Sequence, residues 1–206
     1  MYVKYPRTFH FPWSRGMTSD DKVIKSLTFM EGKRVVATAK MDGENTSLYR
    51  DHYHARSLDS QHHPSRDWVK AFWSTFRHEI PEGFRICGEN LYAQHSLRYD
   101  DLKSYFYMFS MWEGKRCLSW DETVMWADLL GIEMVPVLYD GIFDEVKIRE
   151  IAEGLDPEKV EGLVVRVADE FNYDDFSRAV AKYVRANHVT TDTHWMHSEI
   201  KANGLA

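Results

Sequence analysis

Runs in which apolar residues alternate with polar ones, or crowd together, recur along the chain between Gly, Asp and Pro. Their β-branched and aromatic content predicts strands at 33–40 (KRVVATAK), 46–50, 84–92, 104–112, 134–139, 162–167 and 179–185. Helical spacing interrupts them. In 65–80, Trp68, Phe72 and Phe76 form one stripe and Pro81 stops the run. In 119–131, Ser119 and Glu122 spell a capping box, Val124, Trp126 and Leu130 supply apolar bulk, and Gly131 ends the helix. A third helix is expected over 144–153. No regular βαβ rhythm links these elements, so the expected class is α+β, with mostly antiparallel sheets flanked by helices.

Composition narrows this picture. A chain of 206 residues with 44% hydrophobic residues suits a single domain with a sizeable core, and it contains no repeat or low-complexity tract. The formal net charge of −6 argues against a broad basic face for nucleic acid and leaves room only for a focused groove. No apolar run approaches the ~20 residues of a membrane span, and the start has no apolar signal core, which points to the cytoplasm and no membrane partner. Cys87 and Cys117 read as structural thiols, because neither has an evident base beside it.

The chemistry concentrates after the first long strand. Lys40 ends VVATAK and is followed at once by Asp42-Gly43-Glu44-Asn45. A lysine at a strand end is ordinarily a solvated charge. It is a nucleophile when burial or neighbouring positive charge favours its neutral amine, and a polar glycine turn beside it suits close approach to a ligand. Further fragments extend the pattern: Gly88-Glu89 in a strand, the aromatic run SYFYMFSMW, Glu161-Gly162 opening an apolar strand, and Lys182 near the end of AVAKYVR.

In that order the fragments resemble the covalent nucleotidyltransferases, and most closely the ATP-dependent RNA ligases of the phage RNA ligase 2 type. The resemblance covers roughly 33–188. It implies an ATP-grasp-like nucleotidyltransferase domain in which Lys40 is the nucleophile and forms a lysyl-AMP. Asn45 belongs to the same motif, and Arg56 contacts the nucleotide or a substrate phosphate. Glu89 contacts ribose or organises metal, Phe109 stacks on adenine, Glu161 is the fourth-motif carboxylate, and Lys182 binds phosphate. ATP is the implied cosubstrate. Magnesium or manganese is the implied metal, with Asp42, Glu89 and Glu161 as oxygen ligands. That metal, with Lys182, would keep Lys40 neutral by charge repulsion. The partners implied are RNA ends or a nicked duplex, prepared by an end-processing kinase or phosphatase, with a further RNA-binding partner supplying affinity.

The family's second fifth-motif lysine falls at Val184, with Arg185 one place later and, in a regular strand, on the opposite face. A bulge would return Arg185 to the site. Residues beyond 190 are too few for a separate C-terminal domain, so a single adenylyltransferase domain over 1–206 is expected. At the other end His10, Trp13 and Arg15 read first as turn and packing residues, with the nucleotide pocket or the RNA end as the alternative. The histidine pairs His52/His54, His62/His63 and His194/His197 raise structural zinc, without the cysteine pair that usually accompanies it. A DNA ligase, a capping-type guanylyltransferase, and a noncatalytic nucleotide- or RNA-end-binding module remain as alternatives.

Overall fold

The computed structural model of the chain describes residues 1–186 and 199–206, which leaves His194 and His197 outside the described residues. Its strands, in chain order, are β1 (Phe9–His10), β2 (Arg34–Lys40), β3 (Glu44–Tyr49), β4 (Tyr53–Ala55), β5 (Phe84–Asn90), β6 (Phe106–Glu113), β7 (Arg116–Cys117), β8 (Val137–Ile142), β9 (Gly162–Val167), β10 (Phe171–Asn172) and β11 (Val180–Val184). They build a five-stranded sheet, β1-β11-β9-β2-β8, and a six-stranded sheet, β10-β7-β6-β5-β3-β4. Apart from the parallel β1–β11 pair, every ladder is antiparallel, as expected for an α+β chain.

The helices are α1 (Asp67–Phe76), α2 (Trp120–Leu130), α3 (Glu145–Glu153) and α4 (Phe176–Ala179). The capping box of α2 forms: the Glu122 N–H donates to Ser119 Oγ at 3.2 Å, and the Ser119 N–H donates to Glu122 Oε2 at 3.0 Å. Two predicted faces are rotated. Val69, Trp73 and Phe76 are the buried side of α1, with Trp68 and Phe72 at its rim. Likewise Trp120, Thr123 and Ala127 are buried in α2, whereas Val124, Trp126 and Leu130 are partly covered. In α1 a polar contact sets the rotation, since Trp73 Nε1 donates to the Tyr49 carbonyl at 2.6 Å. A stripe read from apolarity alone carries no such information.

Register decides which side chains meet. In the five-stranded sheet Lys40 lies opposite Gly162, and Val164 lies opposite both Thr38 and Lys182. Alternation therefore puts Lys40, Val164, Arg166 and Lys182 on one face. Val35, Ala37, Leu163, Val165 and Ala181 take the other face, in one core with Ile148 and Ala152 of α3. In the six-stranded sheet Leu48, Ile86, Met108 and Met111 pack with α1 and α2. The opposite face of this second sheet turns toward Lys40 and Lys182 across a cleft of about 1250 Å³.

Candidate active site

Two sheet irregularities shape the cleft. Cys87 pairs with Ser110 and Gly88 with Met108, so Phe109 has no cross-strand partner and is the extra residue of a bulge in β6. A bulge re-aims side chains, and here Phe109 and Ser110 both line the cleft. Gly88 allows the close fit, because a Cβ there would lie 2.4 Å from the Phe106 ring and 2.5 Å from the Tyr107 carbonyl oxygen. Gly43 is needed for a related reason. Its φ is not in the left-handed region, but a Cβ would lie 2.5 Å from the Asn90 carbonyl oxygen. The requirement is therefore close approach to β5 and not an unusual turn.

Lys40 closes β2 with its ammonium on the cleft wall, 2.6 Å from Oε2 of Glu161. Glu161 is buried, and its backbone ties the two strands that flank it: its N–H donates to the Lys40 carbonyl at 3.2 Å, and its carbonyl accepts from the Arg185 N–H at 3.1 Å. Across the cleft, Glu89 Oε1 accepts the Gly43 N–H at 3.2 Å. Burial pushes the Glu89 carboxyl up to about 8, a rise reinforced by Glu161 and Asp42 and opposed by Lys40. Asn45, opposite Glu89 in the ladder, also lines the cleft, and its Oδ1 is buried without a partner. Arg56 lines the mouth and is exposed.

The two lysines shift in opposite directions. Burial pulls Lys182 down to about 8, and the positive charge of Lys40 adds to the effect. Burial pulls on Lys40 as well, but the carboxylates of Glu161, Glu89 and Asp42 outweigh it and raise the ammonium above its ordinary value. Without nucleotide or metal, these carboxylates favour the ammonium form of Lys40. Three carboxylates surround it, one in direct contact, whereas Lys182 forms no salt bridge with any described residue.

The structure also places three further groups. The β11–β9 ladder is regular through Val184, with no bulge, and Arg185 is not among the residues that line the cleft; its Nε is buried without a partner. Asp42 lies at the cleft, where its Oδ2 accepts from Ser96 Oγ at 2.6 Å and from the Leu97 N–H at 2.7 Å, which ties it to a loop. Trp13 stacks on Phe11 and donates to Glu145, and Arg15 pairs with Glu153, which places both against α3; His10 is buried beside Ser14. Lys4, Tyr5 and Arg7 of the same segment line the cleft instead. So do Val164, Arg166 and His95, none of which was singled out. Val164 and Arg166 share the face of Lys182 because the ladder pairs Val164 with Lys182 and Arg166 with Val180, a register that alternation along either strand does not give.

Oxygen donors at Glu89 and Glu161 fit a hard divalent cation. Among the described residues no three His, Cys, Asp or Glu side chains gather closely enough to hold a metal by themselves. A cation at these two carboxylates would complete its shell with water and phosphate oxygens. Of the histidines, His62 pairs with Asp67, His63 contacts Ser65, His52 stacks on Tyr2 and His54 is buried against the Ala55 carbonyl.

Solved structures with this fold include RNA ligase of Naegleria gruberi. A variant solved with ATP and Mn matches with TM-score 0.59 and 18% identity over 85% of this chain and 57% of that one. A structure with PPi matches with TM-score 0.58 and 18% identity over 88% and 57%. A second variant with ATP and Mn gives TM-score 0.58 and 16% identity over 88% and 58%. The chain thus spans somewhat more than half the length of these proteins. No curated protein sequence matches it. The family described as RNA ligase matches residues 33–184, from the start of β2 to the end of β11. That span holds Lys40, Glu89, Phe109, Glu161 and Lys182 in the arrangement just described, and the chain belongs to the RNA ligase family.

Proposed function

We propose that the chain is an ATP-dependent RNA ligase that joins 5′-phosphate and 3′-hydroxyl ends through a covalent lysyl-AMP. The observation that carries this reading is Lys40 Nζ, 2.6 Å from Glu161 Oε2 in a cleft it shares with Lys182, Glu89 and Phe109. The structures of Naegleria gruberi RNA ligase with ATP and Mn or with PPi support the choice of nucleotide and the use of a metal.

In the first step the Lys40 amine attacks the α-phosphorus of ATP. The new P–N bond forms as the bond to pyrophosphate breaks, and Glu161 Oε2 is placed to take the proton that Nζ sheds. Phe109 and Val164, which line the cleft from opposite sheets, offer apolar faces for the adenine. The unpartnered Asn45 Oδ1 and the Glu89 carboxyl offer hydrogen bonds to the sugar or base side of the ligand. Lys182 meets the phosphates, whose nonbridging oxygens carry the developing charge. A magnesium or manganese ion held at Glu89 and Glu161 would supply positive charge that offsets the carboxylates around Lys40 and favours its neutral amine.

In the second step an oxygen of the RNA 5′-phosphate attacks the same phosphorus, and Lys40 leaves as the amine and regains its proton. In the third, the 3′-hydroxyl attacks the 5′-phosphate and expels AMP, with a proton released. Arg56 at the mouth, with Lys4 and Arg7 from the N-terminal segment, is positioned to receive the strand's phosphates.

The position of Arg185 outside the cleft favours a second reading, a module that binds nucleotide or RNA ends without chemistry. Sealing assays with ATP or GTP on nicked RNA, nicked DNA, hybrid duplexes and single-stranded RNA separate the readings. Sealing of 5′-phosphate RNA with ATP supports the ligase. Turnover with GTP alone, sealing confined to DNA, or nucleotide binding without any sealing overturns it.

A further inference from the structure

The family match ends at residue 184, yet the segment 201–206 is bound into the loop that follows β5. Asn203, which is 3% exposed, is its anchor. Its Oδ1 accepts the Tyr99 N–H at 3.0 Å, its Nδ2 donates to the Leu91 carbonyl at 2.8 Å, its N–H donates to the Tyr92 carbonyl at 2.9 Å, and its carbonyl accepts from Tyr105 Oη at 2.9 Å. The Gly204 N–H adds a bond to the Tyr99 carbonyl at 2.7 Å, so Tyr99 is held through both of its backbone groups.

Tyr99 in turn reaches the turn after Lys40. Its Oη accepts the Asp42 N–H at 2.9 Å, and Asp42 Oδ2 accepts from Ser96 and Leu97 in the same loop. We infer that segment 201–206 is a clamp for the nucleophile's turn, and that Asn203 and Tyr99 are positioning residues for Lys40. Among the described residues, Asn203 has its hydrogen-bond partners outside the cleft lining. It orders Tyr99, Tyr99 and the loop fix Asp42 and Gly43, and these set the direction in which β2 delivers Lys40. Buried backbone groups that lose such partners have no water to replace them, so the loop loosens as a unit. A misplacement of about 1 Å remote from the reacting atoms is enough to slow a reaction about 10²-fold.

The kinetic arm of the test rests on the ligase reading, whereas the exchange arm does not. Asn203→Ala, Tyr99→Phe and the double variant, each in the 206-residue chain, are compared with the parent. Amide hydrogen exchange is followed at Asp42, Leu97 and Tyr99, with the β9 amides as the internal reference. Single-turnover adenylylation gives the rate and the ATP concentration dependence. Asn203→Ala should expose the three loop amides and leave β9 protected. Each single variant should slow adduct formation about tenfold with the half-saturating ATP unchanged. The double variant should be no slower than the slower single, because both act through one contact chain. Should Asn203→Ala not fold, Tyr99→Phe, which removes only the Oη that accepts the Asp42 N–H, carries the exchange and rate expectations at Asp42 by itself.

Unchanged protection at Asp42, or rate effects of Asn203 and Tyr99 that multiply, would overturn the clamp. If the parent itself forms no adduct, the ligase reading fails and exchange alone decides the clamp.

Discussion

Lys182→Met should stabilise the protein while disabling it. Lys182 lies in β11 between His10 of β1 and Val164 of β9, half-buried and in no salt bridge with any described residue. Burial, with Lys40 nearby, brings it from 10.5 to about 8. A base whose folded value is depressed is bound less tightly by protons in the folded chain. Between pH 8 and 10.5 the unfolded chain therefore holds more protons, and stability rises with pH across that window. Below pH 8 the penalty is present in full. At about 1.4 kcal/mol per tenfold change in proton affinity, the ceiling is about 3 kcal/mol; partial exposure and the coupling to Lys40 reduce the expected gain to about 1–2 kcal/mol. Methionine keeps the length of the side chain and removes the charge. Urea unfolding at pH 7 and pH 10 provides the assay. The variant should be the more stable form at pH 7, the margin should shrink by pH 10, and lysyl-AMP formation should fall about 10²-fold or more. A variant that is less stable than the parent at pH 7, or a margin that ignores pH, would refute the reasoning.

Three other outcomes follow from the same geometry. Glu161→Gln removes the contact that most directly opposes burial at Lys40, so Lys40 should acylate faster with an amine reagent at pH 8.5 while adduct formation with ATP is lost; slower acylation would reverse the assigned direction of the Lys40 shift. Phe109→Ala should raise the half-saturating ATP concentration about 10- to 100-fold, the worth of one base stack, with a smaller change in maximal rate; an unchanged ATP dependence would remove Phe109 from the base site. Arg185→Ala should leave the adenylylation rate within about twofold, since mutation outside a site normally has small effects, and a large loss would place Arg185 in the cleft after all.

Much of the site was legible because its residues sit on strands whose polarity pattern is strong. β9 runs over 162–167 as read, and the capping box and Gly131 fixed both ends of α2. Lys40, Glu161 and Lys182 ended up together because antiparallel register brings the ends of β2, β9 and β11 side by side. The misread features depend on contacts distant in sequence. The strand read at 134–139 begins only at Val137 and runs through Asp140-Gly141, a dipeptide that looks like a turn until pairing with Val35 and Val36 holds it extended. The two-residue strands β1, β7 and β10 are too short for any period. The strand read from 179 begins at Val180, because Ala179 is the last residue of the four-residue helix α4. The balance of charge at Lys40 without metal was not legible, because the sequence named its positive neighbour and its carboxylates alike and only distance ranks them.

The most direct test of the account is peptide mass mapping after exposure to ATP and magnesium. A gain of one AMP on the peptide that carries Lys40, and none in Lys40→Ala, is the predicted result. Tight ATP binding with no adduct, or an adduct on any other lysine, would contradict it.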